Sequence, residues 1–584
     1  MTIRKLIKYL KPFRVGIVLI LVLLLMESMM GLLLPAVMAY IVNDGIIYGV
    51  MHETPMTYYI LRMGLVMLGI TFMSGLAAVG AGYLSPRISA AAAMQLRRDV
   101  FIKVESFSQK EFDSFSSASL ITRCTNDVTQ VQNLANMAAR MLFFAPIMGI
   151  GGVVMALSHS VAMSWIIALA VLVMLGLVLT ITPIVMPRFR VMQGMLDTLN
   201  RVSRETLHGL MVIRAFGTQQ HERERFDKSN REIADLSLFL TRVMVVMGPA
   251  MMFIMGGTQI LIVWVGGQHI AASGLQIGDM MAYMQYAMQV VFSFMMISMM
   301  FVMLPRAMVS AGRIVEVLDT EPAIVDTERP EATDPSQEGV VVFENVSFHY
   351  PGAEVEALSD ISFVASPGET TAIIGSTGAG KSTIANLLMR FYDVTDGRIK
   401  VNGADIRKIT QATLREGIGY VPQRGQLIAG TIASNIRYGK PDADDAALLK
   451  VAEVAQATSV IEEKPEGLES EIGQKGGNVS GGQRQRLSIA RALAIAPKIL
   501  VFDDSFSALD FQTDSQLRKA LKEHAADTTV IVIAQRVGTI RNAEQILVLE
   551  EGKIAGRGTH SELLESCPAY YEIASSQGVI EEGA

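Results

Sequence analysis

Six apolar runs precede residue 310, at roughly 15–42, 58–84, 138–157, 163–186, 243–266 and 277–304. A helix needs about 20 such residues to cross the hydrocarbon of a bilayer, and in lipid each run satisfies its own backbone only as a helix. This pattern limits the first half of the chain to a bundle of membrane spans. Between the runs lie two long polar stretches, roughly 85–137 and 187–242. The first carries Arg87, Arg97, Arg98, Lys103, Lys110 and Arg123, and the second Arg188, Arg190, Arg201, Arg204, Arg214, Arg223, Arg225 and Lys228. Arg4, Lys5, Lys8, Lys11 and Arg14 crowd the N-terminus, whereas 43–57, 158–162 and 267–276 hold no Lys or Arg. Cationic loops stay in the cytoplasm, so the N-terminus, both long stretches and everything after 305 are expected there, in a multi-pass protein of the cell membrane.

The polar stretches have helical spacing and few breakers, as in "AAAAMQLRRDVFIKVESF" and "VMQGMLDTLNRVSRETLHGLMVIRAF", so the spans are expected to continue well beyond the bilayer. Two readings of the hairpin tips, "EFDSFSSASLITRCTND" and "HGLMVIRAFG", stand side by side: solvated turns, or contact points for another part of the molecule. The first apolar run is too long for a cleavable signal. A net charge of −6 gives no electrostatic case for nucleic acid. The two cysteines, Cys124 and Cys567, are too far apart in sequence to suggest a disulfide framework, and no metal-ligand spacing occurs.

The acidic segment 319–339, "DTEPAIVDTERPEATDPSQEG", has three prolines and no apolar period, which marks a linker. The expected division is a transmembrane domain over 1–318, the linker over 319–339 and a nucleotide-binding domain over 340–584. In the last region β-branched runs ("TTAIIG", "KILVFDD", "TTVIVIAQ") alternate with helical segments, as in an α/β sheet.

"GSTGAGKST", residues 375–383, fits G-x-x-x-x-G-K-[ST] between an apolar strand and a helix start. Gly375, Ser376, Thr377, Gly378, Ala379, Gly380, Lys381, Ser382 and Thr383 then form a loop whose N–H groups wrap a phosphate chain. Lys381 reaches the β- and γ-phosphates, and Ser382 ligates Mg2+. "ILVFDD" delivers Asp503 at a strand end as a second magnesium ligand. The implied cofactors are ATP and Mg2+.

Between these motifs stands "NVSGGQRQRLSIARAL", 478–493. Ser480, Gly481, Gly482 and Gln483 resemble the signature of the ATP-binding cassette (ABC) family, with Val479 in place of the usual Leu. The resemblance extends to Tyr350 of "VSFHYPG" as the adenine-stacking aromatic and to Gln423 of "YVPQ" as a magnesium-touching glutamine. It also covers the exporter loop "SEIGQKGG" and the interface loop "SALD". With six spans ahead of the cassette, the whole chain resembles a half-transporter with the P-glycoprotein-like exporter fold: a membrane α-helical domain of six transmembrane helices with long cytoplasmic extensions, fused to an α/β P-loop cassette. The resemblance implies that the hairpin tips are coupling helices and that two cassettes share each ATP head to tail.

Two positions depart from the family. Asp504 stands where a catalytic glutamate is usual, and Gln535 of "IAQRVGTI" stands where a switch histidine is usual. A carboxylate withdrawn by about 1 Å from the attacking water costs on the order of 100-fold in rate, and an amide does not titrate as imidazole does. Both changes fall on hydrolysis and neither on ATP binding, while the signature is intact. The chain therefore resembles the degenerate-site subunit of bacterial heterodimeric multidrug exporters. That resemblance implies a second half-transporter with the consensus Glu and His, and a hydrophobic small molecule moved out of the cytoplasm or inner leaflet. A lipid or peptide exporter of the same architecture and an ATP-binding regulatory subunit are the alternatives; no peptidase segment favours peptide export.

For the substrate, the 15 methionines between 241 and 310, with Met288, Met295 and Met299 among them, suit a cavity that accepts many apolar shapes. They suit lipid-facing packing equally. Glu27 sits near the middle of the first run, where a charge is costly. It faces a cationic substrate, carries a proton, or is a structural carboxyl bonded to a neighbouring helix.

Overall fold

The computed structural model describes residues 5–579 apart from 53, 55, 273 and 525, without the side chains of 190, 299, 301 and 302. Of the residues singled out above, Arg4 and the side chains of Arg190 and Met299 lie outside the described residues. The chain forms two compact units. One comprises the residues up to Glu105 together with Ser117–Thr320, the other Ser106–Ser116 together with Glu321–Ala584.

The first unit is all helix. Among the described residues, six helical spans are long and apolar enough to cross a membrane: Ile7–Met51, Thr57–Glu105, Ser117–His159, Val161–His208, Gln219–Ala271 and Ile277–Asp319. Each exceeds the apolar run it contains, so the helices do continue into the polar stretches. The first and third spans are interrupted by π-helical turns at Ile41–Ile47, Arg123–Asp127 and Arg140–Phe144. Such turns insert an extra residue and re-aim the side chains around them. Small residues let the helices meet closely: Ala39, Ala156, Ala282 and Ala287 are buried with Leu32, Met163, Ile262, Tyr283 and Tyr286. The Tyr286 hydroxyl donates to the carbonyl of Leu32 (2.9 Å), and the Gln289 amide donates to that of Gly31 (3.2 Å), tying the sixth span to the first. Toward the polar ends, buried Asp127 accepts from Ser310 (2.8 Å) and Arg313 (2.7 Å), and Arg123 pairs with Glu316 (2.7 Å). The second hairpin tip contains a short helix, Leu210–Phe216, closed by Gly217 in the left-handed region (φ 67°).

The second unit is α/β. Its main sheet runs in the order Lys553–Gly558, Gln545–Glu550, Thr370–Gly375, Thr529–Ile533, Ile499–Asp503 and Ile418–Val421. Every pairing is parallel except the one to the edge strand Lys553–Gly558. Ile499–Asp503 is buried at all five positions, as a central parallel strand covered on both faces should be. A second, antiparallel sheet contains Val341–Phe348, Leu358–Ala365, Asp396–Val401 and Ala404–Asp405. The start of the first hairpin tip, within Ser106–Ser116, also belongs to this unit. Its short helix Gln109–Phe115 is held by a capping box between Ser108 and Glu111. Glu111 accepts from the backbone N–H of Ala323 (3.3 Å), and Asp113 accepts from the Tyr392 hydroxyl (2.9 Å).

Candidate nucleotide site

In parallel sheets ligands gather beyond the carboxyl ends of the strands. Four neighbouring strands end here in residues the sequence points to. Thr370–Gly375 leads into the glycine loop, Ile499–Asp503 ends at Asp503 and Asp504, Ile418–Val421 precedes Gln423, and Thr529–Ile533 precedes Gln535. Sheet order, more than sequence distance, brings these groups together.

The loop returns as the helix Lys381–Leu388. Gly380, just before it, has φ 94°, and a Cβ there would lie 2.5 Å from the carbonyl oxygen of Ala357. Only glycine fits that approach. Lys381 is nearly buried, and its ammonium donates to the carbonyls of Gly375 (2.9 Å) and Ser376 (2.7 Å). Two of its three donors thus brace the loop, and the third is left for a phosphate. Burial holds its pKa below the ordinary lysine value, and the charges of Asp504 and Asp503 act against that.

The Ser382 hydroxyl donates to Asp503 (2.7 Å), which sets two hard oxygen ligands side by side. Burial raises the Asp503 pKa above the ordinary carboxylate value; the Ser382 hydrogen bond opposes the rise and the Asp504 charge adds to it. Hydroxyl, carboxylate and phosphate oxygens suit Mg2+, and a divalent charge would offset the cost of keeping Asp503 ionised.

Asp504 is buried and adopts φ 46°, a left-handed conformation that Asp tolerates better than most residues. Its backbone N–H is fixed to the carbonyl of Ile533 (2.8 Å). One carboxylate oxygen, Oδ2, accepts from both side-chain amides in reach, Gln423 (3.0 Å) and Gln535 (2.8 Å). The two departures from the usual family residues are therefore in direct contact, and Gln535 engages the acid.

Tyr350 reaches Thr383 through its hydroxyl (3.1 Å) and meets Tyr392 edge-on, with ring centroids 5.3 Å apart. Tyr392 in turn bonds Asp113. Burial, followed by the Asp113 contact, pushes its phenol above the ordinary tyrosine pKa. A chain of side-chain contacts thus runs from the helix Gln109–Phe115 to the nucleotide loop within this unit.

The signature opens the helix Gly481–Ala494, with Ser480 as N-cap and Gln483 completing a reciprocal capping box. Gly481 and Gly482 supply first-turn N–H groups with no side chain over them. Among the described residues, no hydrogen bond joins Ser480–Gln483 to the loop 375–383. The signature segment and the glycine loop are thus not in hydrogen-bond contact with each other.

Two structural residues have no sequence signal. Buried Gln485 accepts from the N–H of Gly425 (2.9 Å) and donates to the carbonyl of Pro422 (3.2 Å), pinning the segment around Gln423 to the signature helix. Gln577, just past the helix Pro568–Ser576, donates to the carbonyl of Gln535 (2.8 Å) and accepts from the N–H of Val537 (2.8 Å). One amide thereby clamps the switch segment.

In the membrane unit, Met288 and Met295 stand seven residues apart on one face of the sixth span, with Met295 exposed. Glu27 lies in the first span, and its Oε2 is buried with no hydrogen-bond partner.

Residues 17–294 match the family model for the ABC transporter transmembrane region, and 358–507 the model for the ABC transporter. An uncharacterized ABC transporter ATP-binding protein of Mycobacterium tuberculosis is 39% identical over 98% of this chain and 97% of its own length. A fatty acid ABC transporter ATP-binding/permease protein of the same species is 34% identical over 82% of this chain and 75% of its own length. The solved structure of a bacterial Atm1-family ABC exporter with ATP bound superposes with a TM-score of 0.79 at 25% identity, covering 98% of this chain and 99% of that one.

Proposed function

Since the chain belongs to the ABC transporter family, as an exporter half-transporter whose six-helix membrane domain is fused to an ATPase domain, we propose that it is the degenerate half of a heterodimeric exporter of hydrophobic or amphipathic compounds. The observation that carries this reading is the double amide contact on Asp504 Oδ2. A carboxylate oxygen that accepts from two amides is held in place and turned toward them, and among the described residues no imidazole hydrogen-bonds it. ATP is bound through the loop 375–383, with Tyr350 against the base. Ser382, Asp503 and the Gln423 carbonyl oxygen hold Mg2+, which screens the phosphate charge. Gln423 uses only its NH2 group on Asp504, so its oxygen remains for the ion. This site keeps its ATP and holds the two cassettes together. The Ser480–Gln483 helix start completes the partner's site, where hydrolysis occurs.

The Lys/Arg asymmetry of the loops supports a cytoplasmic N-terminus and nucleotide-binding unit. The fatty-acid transporter among the relatives supports an amphipathic lipid as cargo, beside the multidrug reading.

The deciding experiment measures ATP hydrolysis by this chain alone and with the half-transporter that co-purifies with it, each with and without Asp504→Glu. Near-inactivity alone, equal recovery of a second half-transporter and dependence on that partner's glutamate support the assignment. Brisk hydrolysis by a dimer of this chain alone rules it out.

A further inference from the structure

Charged and amide side chains inside a membrane unit are costly unless paired, so their partners are informative. Glu27 lies in the apolar part of the first span, and its Oε2 is buried without a hydrogen bond. Gln289 lies in the sixth span. One N–H of its amide donates to the Gly31 carbonyl (3.2 Å), and its Oε1 is buried without a partner. The amide orientation is fixed by that contact, because the flipped form would set two oxygens against each other. Gly31 is four residues after Glu27, hence on the same face one turn along. Two acceptor oxygens from two helices therefore lack donors on one side of the first span.

A donor of opposite charge stands near. Arg140 opens the π-helical turn Arg140–Phe144 of the third span. Phe144 and Ala139 pack with Ile20, Leu24 and Ala81, which brings this turn against the first span one turn before Glu27. The Arg140 guanidinium lies over Gly82 of the second span, 4.0 Å from where a Cβ would be. Among the described residues, no ion pair or hydrogen bond engages that guanidinium.

The two orphaned oxygens carry a desolvation cost that nothing in the chain offsets, and the Arg140 guanidinium is open to a partner. An anionic occupant would satisfy Arg140 alone, and a cationic one only the acceptors. We propose that Glu27, Gln289 and Arg140 form a binding site for a zwitterionic amphiphile, with a primary ammonium donating to Glu27 and Gln289 and a phosphate or carboxylate accepting from Arg140. The site deepens the export reading above, since it names the headgroup chemistry of an amphipathic cargo. The same headgroup could also come from a lipid that resides in the membrane.

The test uses the full chain, with whatever half-transporter accompanies it, in detergent. It measures binding of three phospholipid probes by native mass spectrometry. Phosphatidylethanolamine carries the ammonium N–H donors and the phosphate, phosphatidylcholine lacks the N–H donors, and phosphatidylglycerol lacks the cation. Phosphatidylethanolamine is expected to be preferred about tenfold over both. Glu27→Gln should erase the preference over phosphatidylglycerol. Arg140→Gln should weaken all three phosphates, and Arg140→Lys should preserve the wild-type order. Equal retention of the three lipids by the wild type overturns the proposal, as does a preference unchanged in both Glu27→Gln and Arg140→Gln. Stimulation of ATP hydrolysis by phosphatidylethanolamine after reconstitution identifies cargo. Selective binding without stimulation keeps the site and identifies a resident lipid, against the export reading. Stimulation by apolar compounds without headgroup selectivity keeps the export reading and removes the site.

Discussion

The nucleotide site and the membrane interior treat polar groups in opposite ways. At the nucleotide site, Lys381 braces two carbonyls, Ser382 meets Asp503, and Asp504 holds two amides. In the membrane interior, Glu27 Oε2 and Gln289 Oε1 are buried without partners. The first arrangement is preorganised, so a ligand finds its groups already in position. The second leaves desolvated groups whose cost only a ligand or a rearrangement offsets. One region holds its polar groups in position in advance, and the other leaves two buried acceptors without a donor.

Replacing the brace tests the preorganised side most severely. Lys381→Ala removes a charge-assisted phosphate contact together with the two carbonyl bonds. ATP affinity at this chain's site should fall on the order of 100-fold, read by binding of a fluorescent ATP analogue. An unchanged affinity would mean that the brace is dispensable. A pH titration follows in size. The raised Asp503 pKa means that protons compete with Mg2+ at a higher pH than they would at an exposed aspartate. Magnesium-dependent ATP binding should therefore weaken as pH falls, beginning above the ordinary aspartate range, and Asp503→Asn should remove that dependence along with most of the metal requirement.

On the membrane side, Tyr286→Phe deletes the bond to Leu32 without changing shape. It should lower the stability of the membrane unit by about 1 kcal/mol, seen as a reduced melting temperature in detergent. A much larger loss would mean that interior polar contacts there are worth as much as those at the nucleotide site. The smallest effect is expected at Gln577→Ala. This exposed residue loses two hydrogen bonds to the switch segment. A few-fold shortening of ATP retention at this chain's site is expected with little change in melting temperature. Gln577→Glu, which keeps an acceptor for the Val537 N–H but loses the donor, should be intermediate.

What the sequence made legible follows from how each feature is constrained. The spans were readable because bilayer thickness sets their length. The phosphate loop was readable because Gly380 and Lys381 meet backbone requirements that few residues satisfy. Asp504 and Gln535 stood out separately, but their contact depends on strand order and has no signature in spacing. Arg140 escaped notice because it opens an apolar run, where a cation reads as an ordinary edge residue. The π-helical turn that brings it against the first span has no sequence pattern. Gln485 lies in the signature helix and Gln577 just past the helix Pro568–Ser576, and only the fold gives each a segment to pin. The first tip's place in the nucleotide-binding unit rests on Tyr392, 279 residues from Asp113.

That separation has a consequence for biogenesis. Ser106–Ser116 leaves the ribosome long before the surface it packs on exists. At roughly 5–20 residues per second, Asp113 waits about 14–56 s for Tyr392. A helix of seven residues does not persist alone in water. During the wait this one depends on its own capping box and on the rings of Phe107, Phe112 and Phe115, which pack against one another. A chain stalled or truncated before residue 392 would display those three rings unclaimed, a mark by which quality control could tell an unfinished transporter from a finished one.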